Sequence, residues 1–193
     1  MHEQDKYKEI EPSQAYTLQN AGGVVLVCTK GGAPRPKAQE LVGNPLSALP
    51  RYDLAPVAWC CPLDYDPVTK MIVVLDVGHK TYADIVSSGY FALALPGIAQ
   101  KNLVENAGSI SGHDVDKYSS FKIAAFAAGK IDVLIPEGVS GWIECMLERV
   151  EVFGSSGLVV GATVRAAAKP DAWRDRLHHV GGKEFFSPGS LVS

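Results

Sequence analysis

The 193-residue sequence holds no apolar run approaching the roughly 20 residues that a membrane-crossing helix needs. It has no basic surplus either. Its 18 Lys and Arg against 21 Asp and Glu leave a net charge of −3, so the electrostatic footprint of a nucleic-acid binder is missing. The four cysteines, Cys28, Cys60, Cys61 and Cys145, form no C-x-x-C pair. Cys60 and Cys61 would point to opposite faces of a strand, which argues against a shared metal. Buried free thiols are expected, as suits a reducing cytoplasm. The charged start, Met1-His2-Glu3-Gln4-Asp5-Lys6, lacks the apolar segment of a secretory signal. Residues 1–12 are expected to be a loose arm, and 1–193 to be one domain with a core of its own.

Several catalytic signatures are absent too. No G-x-G-x-x-G follows a strand-like run, so a Rossmann sheet is disfavoured. Gly78-His79-Lys80-Thr81 ends like a P-loop but lacks the leading glycine. Gly108-Ser109-Ile110-Ser111-Gly112 has the glycines of a nucleophile elbow, yet its central residue is Ile, not Ser.

What is present is a series of short β-branched runs separated by Gly and Pro. Val24 to Thr29, then 54–61, 71–77 and 90–95, read as strands. Two longer ones, Trp142 to Phe153 and Gly157 to Ala168, flank the hairpin signal Gly154-Ser155-Ser156-Gly157. Helices are expected over 13–20, from Thr81 to Ser88 with Gly89 closing it, and from Gly97 to Ala107. Residues 30–52 form a long Gly- and Pro-rich loop, a length often tied to function. Gly181-Gly182 leads to Phe185-Phe186, a closing strand or docking tail. This spacing predicts a mainly β fold with short helices, a closed or partly open barrel.

Two segments offer anion chemistry. Ser111, Gly112 and Lys117 bring a hydroxyl, close backbone access and a cation within one loop. Equally, Asp114 or Ser111 could cap a helix while Lys117 sits in solvent. Thr81, preceded by His79 and Lys80, stands at an expected helix start, where unpaired N–H groups favour phosphate, or it is a plain cap. Trp59 either walls an aromatic ligand or fills the core. Cys60 and Cys61 offer backbone N–H groups or inert packing, and His178-His179 reads as a surface tail.

The stretch R-Y-D-L-A-P-V-A-W-C-C-P-L-D-Y-D-P, the turn V-G-H-K-T-Y-A-D-I, the loop S-G-H-D-V-D-K-Y, the strand G-L-V-V-G-A-T-V and the ending L-H-H-V-G-G-K-E-F-F occur in this order. Together they resemble the flavin reductase-like, FMN-binding split-barrel family. The resemblance implies a six-stranded Greek-key split barrel, usually a homodimer, that holds FMN noncovalently near the subunit interface. It implies that Thr81 and Lys117 take the phosphate with Ser111, Gly112, His79 and Lys80 in support. Trp59 would lie along the flavin, and the backbone of Ala58, Cys60 and Cys61 would face its polar edge. Asp53 and Pro56 stand where the family often has Asn-x-x-Thr; Ser156 stands near the place of a hairpin His, and Ala162 replaces a Glu. The implied activity is an FMN-dependent oxidoreductase passing hydride from NAD(P)H to flavin and electrons onward. Its partner would be a small redox substrate or an acceptor protein. The alternative is a non-catalytic FMN-binding electron carrier.

Overall fold

The computed structural model describes residues 11–13, 22–31, 52–170, 174 and 176–188. The expected helix over 13–20 and almost all of the 30–52 loop lie outside them. Strand β1 (Val25–Lys30) is followed by β2 (Tyr52–Val57), β3 (Cys60–Asp64), β4 (Lys70–Asp76), helix α1 (Lys80–Ser88) and β5 (Tyr90–Leu95). A 3-10 turn at Ile98–Gln100 runs into α2 (Lys101–Ser109), and the short α3 (Lys117–Ser120) comes next. Then come β6 (Ala125–Ala127), β7 (Leu134–Pro136), the long pair β8 (Gly141–Phe153) and β9 (Ser156–Ala168), and the hairpin β10 (His178–Gly181) and β11 (Glu184–Phe186).

One antiparallel sheet dominates, in the order β2-β1-β5-β8-β9-β4-β3. It has seven strands rather than the expected six, because the run 54–61 is two strands. The chain breaks at Ala58-Trp59, not at Pro62, and Pro62 lies inside β3. Both β2 and β3 are edge strands, which explains why they tolerate Pro56 and Pro62: a residue without an N–H costs least where no neighbour needs one. The two edges sit at opposite ends of the sheet order yet only two residues apart in sequence, so the sheet must curl until they meet. At the join, the Val74 N–H donates to the Trp59 carbonyl at 3.0 Å.

The curl separates two apolar layers. Alternation in β1 sends Val25 and Val27 inward with Met71, Val73, Phe91, Leu93, Cys145 and Val159, and Ile85 of α1 joins them. Leu26 and Cys28 face outward, where Leu54, Val104, Ala107, Ile135 and Leu177 cover them. Both faces of β1 and β5 are therefore buried, and Val25 to Cys28 and Phe91 to Leu95 run apolar without polar interruption. The closing tail is a strand pair as well. The Val24 N–H donates to the Leu177 carbonyl at 2.8 Å, and Phe185 packs on the outer layer. Gly89 ends α1 with φ 79°, the left-handed conformation that only glycine enters at little cost.

Cys28 and Cys145 are the buried thiols the sequence predicts, but Cys61 is exposed and Cys60 half-buried, since β3 is an edge with one open face. The least expected buried group is Glu144 of β8, wholly shielded from solvent. It accepts hydrogen bonds from the Gly129 and Lys130 N–H groups at 3.0 and 2.6 Å and from Trp142 Nε1 at 3.1 Å. It thereby pins the β6–β7 connection to the sheet. Burial pushes its carboxyl up, but these donors and Arg165 outweigh it and hold the group below the usual carboxylate range. Glu144→Ala should cost about 3 kcal/mol, since three N–H donors lose a charged acceptor. The folded-state value is depressed, so this contribution is full above the unfolded carboxyl pKa and fades as pH falls through the lower folded value. Urea midpoints of the two proteins should differ most at neutral pH and converge in acid. A gap that widens in acid would contradict the assignment.

Candidate functional site

The site is built on the free edge of β2. On one side β2 pairs with β1, from Val25 opposite Val57 to Lys30 opposite Tyr52. On the other no strand follows among the described residues, so its polar backbone groups need cover. α2 packs across it, and the first turns of α1 and α3 approach it. Lys117 Nζ donates to the Leu54 carbonyl at 2.8 Å, satisfying an edge acceptor that a strand would otherwise take.

The same ammonium stands 3.4 Å from Asp53 Oδ1, and both side chains are almost wholly buried. Lys117 is therefore neither in solvent nor an unpaired cation. Oδ1 accepts no hydrogen bond. Burial pushes the Asp53 carboxyl up, against the pull of Lys117 and Lys80. Gly112 lies against this carboxylate: a Cβ there would fall 2.2 Å from Asp53 Oδ2, so only glycine fits the loop. The cap of α3 is Asp116, whose carboxylate accepts from the Ser119 N–H at 3.1 Å, and not Asp114 or Ser111. The Ser111 hydroxyl accepts instead from the His113 N–H at 3.2 Å.

α1 brings the second half. Its N-cap, His79, is extended (φ −78°, ψ 145°), makes no side-chain cap, and is followed by no acid in the first turn. The first N–H groups of a helix have no intrahelical partner and carry the positive end of its dipole. Thr81 is buried at this end. Lys80 is buried too, paired with Asp84 one turn on, whose carboxylate also accepts from Thr29 Oγ1 at 3.0 Å.

These elements enclose a polar cavity of about 300 Å³. Asp53, Lys80, Thr81, Gly112 and Lys117 form its buried floor, and His79, Ser109, Ser111 and His113 its exposed rim. Seven of the predicted residues thus meet: Asp53, His79, Lys80, Thr81, Ser111, Gly112 and Lys117. Pro56, Gly108 and Ser109 are a wall shared with a second cavity, also about 300 Å³ and mainly apolar. Ala58 lines this second space with Val57, Val104, His179 and Phe185. Trp59, Cys60 and Cys61 line neither cavity, and Trp59 is half-exposed at the corner between the sheet edges. The sequence reading assigned no site role to Pro56, Gly108, His179 or Phe185. The glycine pair in L-H-H-V-G-G-K-E-F-F was the available sign, because it turns β10 back on β11 and brings His179 and Phe185 to one wall.

A curled antiparallel sheet thus carries an anion-ready helix end beside an apolar slot, and comparison with known proteins gives the family. The chain belongs to the flavin reductase like domain family, whose model matches residues 18–184. It is 27% identical over 156 residues to the uncharacterized protein YddH of Escherichia coli (strain K12), a match covering 74% of this chain and 82% of that one. An FMN-binding domain of a flavin reductases-like enzyme from Shewanella baltica OS155 superposes with a TM-score of 0.68, 26% identity and 95% of each chain covered. The FMN-binding protein from Thermus thermophilus with bound 1-cyclohex-2-enone shares the fold, with a TM-score of 0.74 and 21% identity over 97% of this chain and 98% of that one.

The Asp53–Lys117 pair gives a direct test of the floor. Lys117→Met strands a buried carboxylate and should destabilise the protein by about 3–5 kcal/mol, as removing one partner of a buried pair does. Adding Asp53→Asn to that variant should recover most of the loss in urea denaturation at pH 7. Losses that simply add would show the two groups to be energetically independent.

Proposed function

We propose that this chain binds FMN noncovalently, with the phosphate in the polar cavity and the ring system in the apolar one, and works as an oxidoreductase of the flavin reductase type. The observation that carries this reading is the adjacency of the two cavities, which share Pro56, Gly108 and Ser109 in their lining. A flat ring and a phosphate on one molecule ask for that pairing of an apolar slot with a donor-rich end. Family membership and the FMN-binding relatives support the same ligand.

The residues present fit the group. The α1 N-terminus, the Thr81 hydroxyl and Lys117 supply donors at the floor, and Ser111 adds a hydroxyl at the rim. Gly112 leaves backbone within reach where any side chain would collide with Asp53. Pro56, in the place of the family's Thr, contributes shape rather than a hydroxyl to the wall between ring and phosphate. Flavin, when bound, supplies the redox chemistry, and the protein's task is to bind, orient and shield it. Phe185, Val57 and Val104 exclude water from one side of the slot, and His179 brings a titratable ring to its edge. Hydride from NADH or NADPH, and electrons passed to a small substrate or an acceptor protein, complete the proposed cycle.

The chain is proposed to work as a homodimer. Leu63 of β3, Val68 between β3 and β4, Met146 of β8 and Val164 of β9 are exposed, and these strands are neighbours in the sheet. Burying such side chains is what a stable interface does.

FMN titration monitored by flavin fluorescence tests the reading. Wild-type protein should bind FMN more tightly than riboflavin, with light scattering reporting a mass of two chains. Thr81→Val should weaken FMN about tenfold or more, the worth of a hydrogen bond to a charged group, and leave riboflavin nearly unchanged. NADH or NADPH should then be oxidised in the presence of FMN. Equal affinity for the two flavins would contradict the phosphate assignment. FMN binding without nicotinamide oxidation would favour the electron-carrier alternative.

A further inference from the structure

The floor of the polar cavity holds two cations, each already matched to a buried carboxylate. Lys80 pairs with Asp84, and Lys117 with Asp53. Among the described residues, a phosphate dianion entering this space meets no surplus positive charge from side chains, and it meets the Asp53 carboxylate. The two pairs are not equivalent. The Asp84 carboxylate accepts from both Lys80 and Thr29, and Gly31 lies against it, where a Cβ would fall 2.1 Å from Oδ1. Among the described residues Asp53 has one ion-pair contact, Lys117, and its Oδ1 accepts no hydrogen bond, while the residue lines the floor of the cavity.

We propose that Asp53 takes up a proton when a phosphate dianion enters the polar cavity, so that the charge of Lys117 turns from the carboxylate to the phosphate. This rests on the FMN reading above and adds a specificity-determining residue to it. The proton comes from solvent and ends on a carboxylate oxygen, and no bond of the ligand is broken. Two like charges sharing a buried site raise the affinity of one for a proton. Asp53 begins in that direction, because burial already pushes its carboxyl up. Lys117 can change partners without moving far, since an ammonium has three donors and one remains anchored to the Leu54 carbonyl.

Among the described residues, the charged and titratable groups facing Asp53 come from three elements. α3 brings Lys117 and Tyr118, α1 brings Lys80 with its partner Asp84, and β1 brings Cys28. Burial pushes the Cys28 thiol up to about 12 and the Tyr118 hydroxyl up as well, so neither supplies a proton near neutral pH. His79 and His113 stand at the exposed rim. Among the described residues Asp53 is the carboxylate that lines the floor, and its Oδ1 accepts no hydrogen bond. Asn at this position, the residue common in the family pattern, would keep the shape and carry no charge.

Calorimetric titration of the full-length protein at pH 8, in two buffers of different ionisation heat, counts protons taken up per ligand. The phosphate of FMN, with a second pKa of about 6, is already a dianion there. Wild-type protein should take up about one proton per FMN and none per riboflavin, with FMN affinity falling about tenfold per pH unit above neutrality. Asp53→Asn should bind FMN with no proton uptake and with an affinity flat across the same range. Should that variant not fold, the contrast between FMN and riboflavin in the wild type decides alone. FMN bound by the wild type without proton uptake, or uptake retained in Asp53→Asn, overturns this proposal and leaves the FMN reading standing. Absence of flavin binding altogether would overturn both.

Discussion

The two residues between β2 and β3 constrain everything else. Ala58-Trp59 carries the chain from one end of the sheet order to the other, so seven strands must curl rather than lie flat. The curl makes an inside, filled by Val27, Val73, Phe91 and Val159, and an outside that needs its own cover. It also leaves β2 with an edge that no strand can reach. An uncovered edge invites association, and here helices and a lysine cover it instead. The cavity is the space left between that edge and the elements brought to cover it.

Charge is arranged with the same economy. Burying a lone lysine or aspartate would cost several kcal/mol, so each enters the floor with a partner. The result is a cavity that is rich in donors yet balanced in charge, with its positive potential supplied by the end of α1 rather than by a surplus of cations. Glycines mark where the balance is tightest. Gly112 and Gly31 each lie against one of the two paired carboxylates, and neither position has room for a Cβ.

Much of this was legible in the residues. The alternation of β4, the length of β8 and β9, and the Gly89 stop of α1 all follow from local patterns that tertiary packing reinforces. The residues that meet at the polar cavity were legible as well, because hydroxyl, glycine and lysine in short loops carry their chemistry in their types. Pairing was not. Nothing local says that Lys117 meets Asp53, 64 positions away, or that Glu144 is buried under a hairpin, because both depend on how the sheet closes. Trp59 misled for a related reason. An apolar run without a glycine reads as one strand, and the corner that exposes its indole is imposed by the sheet edges meeting rather than by a turn signal.

The central claim is that the covered edge of β2, the start of α1 and the Gly112 loop form one phosphate site. Amide chemical shifts of isotope-labelled protein, followed during titration with FMN and with riboflavin, test it most directly. The account predicts that FMN, and not riboflavin, moves the resonances of Thr81, Tyr82, Ser111 and Gly112, while both ligands move Val57, Val104 and Phe185. Shifts at the second group with none at the first, for FMN as for riboflavin, would contradict it.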